Sequence, residues 1–374
     1  DTDGRLKHEP NEEAVYSIRQ VCRFFKKVRI DCTRRRNQAA FKKYLQTESD
    51  LQEIVTDNDR TLHFSRVCDV IWRDVLGTTE DFYGSLVPRH GPGATCERIS
   101  GNAKYAHQVW YERLDRSFPV VDYLMTSVTQ IYDESHGLDR VSMVPEDKEL
   151  PVRVISVPKT LKAPRIIAIE PVCMQYTQQA LSRWIIKRIQ NSKTVNGAIR
   201  FTDQTENQRQ AMSASLTGQC ATIDLSDASD RVSLSGVRIM LQAVPELLRL
   251  TEACRSRNAQ LPDGTIVPLR KFASMGSALC FPIESMYFYS VVIHSILWKR
   301  GLEPRLPDIR KISGGVHIFG DDIIVPKDET DTVLEALASY GCKVNTTKSF
   351  WKGNFRESCG VDAFRGVDVT PIYL

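Results

Sequence analysis

Three carboxylates stand where an acid is costly to keep charged. Asp224 closes the apolar run of Ala221-Thr-Ile-Asp224-Leu-Ser-Asp-Ala-Ser-Asp230, and Asp321 and Asp322 interrupt His317-Ile-Phe-Gly320-Asp321-Asp322-Ile-Ile-Val325. An acid flanked by apolar residues loses hydration, so its charged form needs a cation or a hydrogen-bond donor beside it. Acids gathered from two such segments could hold two divalent cations, an arrangement suited to phosphoryl transfer. Each motif also has a plainer reading. Ser226, Asp227 and Ser229 are good caps for a following helix, and an isolated Gly-Asp-Asp is usually a solvated turn. Capping does not account for Asp224 inside an apolar run. Together the motifs favour one shared metal site, with Asp224, Asp321 and Asp322 as its ligands.

The elements that must carry these acids follow from the residue pattern. Val316–Phe319 and Ile323–Val325 predict two short strands joined by a tight turn at Gly320, Asp321 and Asp322. Ala221–Leu225 predicts another strand, with a helix from about Arg231 through Leu241 to Leu250. Upstream, residues 150–202 hold one acid, Glu170, against Arg153, Lys159, Lys162, Arg165, Arg183, Lys187, Arg188, Lys193 and Arg200. Within that tract Val154–Lys159 and Arg165–Ile169 predict a basic ribbon whose cations could reach a polyphosphate, although such charges often only solvate a surface. Ile283–Trp298 predicts a buried apolar helix, too short and too polar to span a membrane. Thr330–Tyr340 predicts a helix stopped by Gly341.

Composition narrows the function classes. The 42.5 kDa chain is 42% hydrophobic, enough for a substantial core, and its net charge is only +4, so any binding of nucleic acid rests on local tracts. One such tract is amino-terminal: Arg19, Arg23, Lys26, Lys27, Arg29, Arg34, Arg35, Arg36, Lys42 and Lys43 face only Asp31. Helices there could contact template phosphate or simply present a solvated face. The ten cysteines include no Cys-x-x-Cys pair, which argues against a zinc ribbon and fits a reducing cytoplasm. No signal peptide, membrane span, low-complexity linker or repeat is evident. Arg89-His-Gly-Pro-Gly93, Pro245 and Leu261-Pro-Asp-Gly264 mark loops or breaks.

Several motifs resemble one family. Ser156-Val-Pro-Lys159, Ile167-Ala-Ile-Glu170-Pro171, Asp203-Gln-Thr-Glu-Asn207-Gln-Arg209, Asp224 to Asp230, Ser274-Met-Gly276, Gly320-Asp-Asp322 and Phe355 to Gly360 occur in this order. They resemble the RNA-dependent RNA polymerase, or replicase, of positive-strand RNA bacteriophages, the leviviruses. The resemblance is dense from about Val154 to Tyr373 and weaker upstream.

That resemblance implies an α+β right-hand polymerase with fingers and palm, an antiparallel palm sheet flanked by helices, and a thumb largely missing. Residues 1–217 would form fingers, 218–235 palm with motif A, 236–272 a fingers insertion, and 273–374 palm with motifs B to E. Two Mg²⁺ ions would be held by Asp224, Asp321 and Asp322. Lys159 and Arg165 would grip the phosphates of the incoming nucleotide. Ser274 and Gly276 would belong to a loop against the nascent pair, in a motif where Cys280 and Glu284 replace the more general threonine and asparagine. Lys348, in preference to Lys343, would protonate departing pyrophosphate, and Phe355–Gly360 would support the primer end. Reverse transcriptases carry an aromatic gate shortly after the first aspartate. Here Ser229 and Asp230 stand there, leaving room for a 2′-hydroxyl and a carboxylate to hold it.

The implied partners are RNA template and product, ribonucleoside triphosphates, host elongation factors Tu and Ts and a ribosomal protein, in the cytoplasm of an infected bacterial host and away from membrane. Asp1 is not a start methionine and Leu374 follows closely on Gly360, so truncation at both ends is expected. A two-metal nuclease and a non-catalytic RNA-binding protein are the alternatives. The nuclease needs no basic ribbon, and the binding module needs no Asp224 or Asp321.

Overall fold

The computed structural model describes residues 9–28, 30–52, 57–77, 82–125, 127–135, 137–160, 163–195 and 197–374, so Asp1, Arg29 and Lys162 lie outside the described residues. Three helices come first, and their character changes along the chain. α1 (Glu12–Arg23) is capped by Asn11 and buries no residue, and α2 (Arg34–Gln52) is strongly polar. α3 (Asn58–Leu76) places Phe64, Val67, Cys68, Ile71, Trp72 and Val75 at helical spacing, and all of them are buried. It stops at Gly77, whose φ of +68° suits glycine.

Short pieces follow: α4 (Phe82–Ser85), β1 (Val109–Tyr111), α5 (Glu112–Asp115), α6 (Val120–Tyr123), α7 (Val128–Ile131) and β2 (Ser142–Val144). The stretch Arg89–Gly93 is loop, as expected. The basic ribbon is also present. β3 (Val152–Val157) and β4 (Arg165–Ile169) pair antiparallel, Val157 opposite Arg165. After α8 (Val172–Asn191) and α9 (Thr205–Thr217), the chain enters the acidic segment through β5 (Cys220–Ile223) and β6 (Leu225–Ser226).

The single strand expected over Ala221–Leu225 is therefore two. The backbone of Asp224 leaves the ladder, its N–H meeting Ser349 Oγ at 3.1 Å and its carbonyl accepting from the Asn345 N–H at 2.9 Å. The single helix expected from Arg231 to Leu250 is also broken. A 3₁₀ turn at Ala228–Arg231 precedes α10 (Leu234–Leu241), capped by Ser233, and α11 (Pro245–Ala253) begins at a proline that cannot continue the helix before it. β7 (Asn258–Gln260) and β8 (Ile266–Pro268) then extend the ribbon into a four-stranded sheet of order β4-β3-β7-β8, joined by the turn at Leu261–Gly264.

α12 (Cys280–Lys299) corrects one expectation. Its 20 residues are long and apolar enough to cross a membrane by length and composition. Yet 89% of its most apolar 18-residue window is buried inside the protein, so here it serves as a core helix. α13 (Leu306–Ser313) leads into β9 (His317–Phe319) and β10 (Asp322–Pro326), which with β5 make an antiparallel sheet of order β5-β10-β9. α14 (Thr330–Ser339), β11 (Lys343–Val344), β12 (Phe355–Ser358), β13 (Val361–Phe364) and β14 (Val367–Asp368) complete the chain. β11 pairs with β6, so the chain changes sheets at Asp224. One core joins α3, α8, α10, α12, α14 and the β5-β10-β9 sheet, while a smaller cluster of Tyr44, Val152, Val154, Ala168, Ala259 and Leu269 seats α2 on the four-stranded sheet. The fold is mixed α+β.

Candidate active site

Strand register brings the acids together. Asp322 pairs with Phe319, which leaves Gly320 and Asp321 as a two-residue turn. Gly320 has φ +60°, and a Cβ there would lie 2.6 Å from the Phe281 ring, so both backbone and space call for glycine. Ile223 pairs with Ile323, so Asp224 emerges beside that hairpin tip. Asp321 is exposed, and Asp322 and Asp224 are half-buried.

Each acid has its own neighbours. Asp224 Oδ2 accepts from Asn345 Nδ2 at 2.7 Å, and its Oδ1 pairs with Lys348 Nζ at 3.2 Å. Lys348 also stands 3.7 Å from Glu357. Asp322 Oδ1 accepts from Ser358 Oγ at 3.2 Å and from the Cys359 N–H at 3.1 Å, which ties it to the β12–β13 turn. The crowding of protein around Asp321, with the Asp224 charge, raises its pKa even though solvent reaches it. Burial and the Asp321 charge push Asp322 up to about 6 against the Cys359 N–H. Burial would lower Lys348, but Asp224 and Glu357 outweigh it and hold the ammonium charged.

Among the described residues, no three acid, histidine or cysteine side chains stand close enough to form a ready-made ion cage. Lys348 and Asn345 engage Asp224, and the β12–β13 turn engages Asp322. The donor set nonetheless fits a hard divalent cation, because carboxylate oxygens raise one another's pKa here and Lys348 is the ammonium that reaches Asp224.

Beside the turn lies a cavity of about 530 Å³. Asp321, Asp230 and Ser229 line one side and Lys159 and Arg165 of the basic ribbon another. Burial and Arg165 lower the Lys159 pKa, while Asp321 pulls it back up. Arg36, Lys43 and Tyr44 of α2 complete the wall. Gly276 also lines it, at φ +130°, and a Cβ there would run into the Ala168 carbonyl oxygen. The close approach that this glycine permits is to β4. Ser274 is 5% exposed, with its Oγ 3.0 Å from Tyr44 Oη. Of the two candidate lysines, Lys348 meets Asp224, whereas Lys343 sits in β11 opposite Ser226. Cys280 Sγ donates to Glu284 Oε2 at 3.9 Å, and burial together with Asp321 and Asp230 pushes the Glu284 carboxyl well above the usual range.

A family model described as RNA replicase, beta-chain, matches residues 103–374. The chain belongs to that family. It is 34% identical over 284 residues to the RNA-directed RNA polymerase subunit beta of Qbeta virus (strain MX1), covering 76% of this chain and 44% of that relative. It is 39% identical over 221 residues to the RNA-directed RNA polymerase beta chain of Enterobacteria phage fr and 38% over 221 residues to that of Escherichia phage MS2. Each of those two matches covers 59% of this chain and 37% of the relative, so the chain spans less than half the length of these three. For this replicase-family chain the matched region carries all three acids, Lys159, Arg165 and Lys348. It excludes α2, whose Tyr44 and Glu48 were not singled out in the sequence. Lys271, Asn345 and Ser349 were missed as well, since each contacts the site across a separation that no local pattern encodes.

Proposed function

We propose that this chain copies an RNA template by two-metal nucleotidyl transfer from ribonucleoside triphosphates. The observation that carries this reading is the juxtaposition of Asp224 with the Gly320–Asp322 turn at the edge of a cavity faced by Lys159 and Arg165. Residues 1–217 and 236–272 are read as fingers, and 218–235 and 273–374 as palm. The four-stranded sheet supports the first assignment, and the β5-β10-β9 sheet against α12 supports the second.

Asp224 and Asp321, with Asp322 assisting, hold two Mg²⁺ ions, which when bound supply Lewis-acid stabilisation of the charge that develops on the reacting phosphate. Lys159 and Arg165 bind the triphosphate. Ser229 leaves room for the 2′-hydroxyl, and Asp230 accepts its hydrogen bond. The primer 3′-hydroxyl gives up its proton to solvent, and its oxygen forms a bond to the α-phosphorus as the bond to pyrophosphate breaks. Lys348 stands protonated on the same side as Asp224 and donates to the leaving group. By the same family reading, the setting is the cytoplasm of an infected bacterium, with elongation factors Tu and Ts and a ribosomal protein as partners.

Primer extension on a short RNA with Mg²⁺ tests the reading. Asp321→Asn should lower extension by at least about 10³-fold, and undiminished extension would refute the assigned role. Incubation with RNA and Mg²⁺ but no nucleotides should leave the RNA intact; cleavage would favour a nuclease.

A further inference from the structure

Lys271 is a charged side chain with 0% exposure, and it stands directly behind the cavity. Its Nζ lies 3.0 Å from Glu48 Oε1 and 3.0 Å from Asp230 Oδ1, and 3.5 Å from the centre of the Tyr44 ring. Glu48 is further committed, accepting from the Arg270 N–H at 2.6 Å. Tyr44 in turn meets Ser274 through its hydroxyl. One buried ammonium thus links α2 to Asp230, and its ring neighbour links α2 to Ser274. Burial lowers the Lys271 pKa, but Asp230, Tyr44 and Glu48 outweigh it and hold it above the usual lysine value.

A buried ion pair is often only structural. Two observations here point to the ligand side. Asp230 lines the cavity and gives one oxygen to Lys271, which leaves Oδ2 without a protein partner among the described residues. Cys280 and Glu284, which stand in place of the more general threonine and asparagine, are engaged with each other at 3.9 Å. Lys271 is then the cation that fixes the Asp230 carboxylate, and Tyr44 the group that fixes the Ser274 hydroxyl. Asp230 is the group expected to meet the sugar of the nucleotide, and Ser274 belongs to the loop expected against the nascent pair.

We propose that Lys271, clamped between Glu48 and Tyr44 of α2, is a positioning residue that sets Asp230 for the 2′-hydroxyl, so that α2 governs discrimination between ribose and deoxyribose. The inference rests on reading the cavity as a nucleotide site. It also gives a task to a helix outside the region that the family model matches.

The test compares the affinity of the chain for ATP and for 2′-deoxyATP in Mg²⁺, by equilibrium titration, in wild type, Lys271→Met and Tyr44→Phe. Wild type should prefer ATP by at least about fivefold, the worth of one well-placed hydrogen bond. Lys271→Met should bring that preference to within about twofold of unity, chiefly by weakening ATP binding. Tyr44→Phe keeps the ring under the ammonium and removes only the hydroxyl, so it should reduce the preference by about two- to threefold while the protein melts normally. If Lys271→Met does not fold, Glu48→Gln, which loosens the other side of the clamp on Lys271, decides by the same ratio. Equal weakening for both nucleotides, or an unchanged ratio in the folded variants, would assign the cluster to structure and overturn the proposal. Absence of any nucleotide binding by wild type would instead sink the reading of the cavity.

Discussion

Acidification from pH 7 to pH 5 should cost the folded protein about 2 kcal/mol through one side chain, His294 of α12. Its ring is 2% exposed and packs edge-on against Phe64 and Tyr340. A hydrogen-bonded chain surrounds it. The Leu302 carbonyl can only accept, so His63 donates to it from Nε2 at 3.1 Å. His294 Nδ1 meets His63 Nδ1 at 2.9 Å, and its Nε2 lies 3.3 Å from the Tyr340 hydroxyl, which also reaches the Arg60 carbonyl at 3.5 Å. Burial keeps the His294 ring neutral. A second proton on His294 meets burial first, then the neighbouring His63 and Arg60, and these lower its pKa from 6.5 to about 3.

A histidine depressed in this way stabilises the fold above the unfolded pKa and loses that contribution as pH falls below it. Each pH unit below 6.5 costs about 1.36 kcal/mol until the folded pKa is reached, so pH 5 costs about 2 kcal/mol. Urea unfolding of wild type and His294→Gln at both pH values isolates the effect. The wild type should lose about 2 kcal/mol more than the variant between pH 7 and pH 5. Equal losses would show that His294 carries no proton linkage. The consequence reaches the site, because α3, α12 and α14 meet at this chain and α12 backs β9.

Glu170 should show the opposite sign. Burial raises its pKa to about 7 despite the hydrogen bond from Ser256 Oγ at 2.5 Å, so stability present below pH 4.5 is lost as pH rises through 7, by up to about 3 kcal/mol. Glu170→Gln should therefore be more stable than wild type at pH 8 and little changed at pH 5, as thermal melts would show; a variant equally affected at both would contradict the shift. Gly276→Ala combines φ +130° with a collision against the Ala168 carbonyl, and should cost at least about 2 kcal/mol in urea unfolding; an unchanged midpoint would mean that the loop does not pack against β4. Lys348→Met should lower the extension rate by about 10²-fold while Lys343→Met leaves it within about twofold; the reverse order would exchange their roles.

The local elements around the acids were legible because their signals are local. Alternating β-branched residues on either side of Gly320 encode a hairpin, and the basic alternation over Val154–Ile169 encodes a ribbon. The break at Asp224 was not legible, since it is made by Ser349 and Asn345, more than a hundred residues away. The continuous helix expected through Leu250 failed for a local reason, because Ser233 and Pro245 carried the signals for two separate helices. α12 is the buried helix that was expected, although its length and composition alone do not exclude a membrane span. Its apolar residues surround the whole helix, and only packing decides whether such a helix is buried in protein or lipid. Lys271 left no trace at all, because a lysine near an apolar run reads as a solvated side chain until Glu48 and Asp230 are seen on either side.

The sheet change at Asp224 is what makes that acid usable. In a continuous strand its amide and carbonyl would be spent on ladder bonds, and the strand would run on past the hairpin tip. Diverting both groups to Ser349 and Asn345 ends β5 at Ile223 and starts β6 against β11, so the residue between them belongs to neither ladder. Its carboxylate is then oriented by the same segment that holds its backbone, through Asn345 Nδ2 and Lys348. Residues 345–349 therefore fix both the position and the charge environment of Asp224. Asn345→Ala should accordingly impair extension more than its single lost hydrogen bond of about 1 kcal/mol would suggest, by more than about tenfold, while shifting the urea midpoint little. A loss of activity no greater than the loss of stability would show that Asp224 is placed by β5 alone.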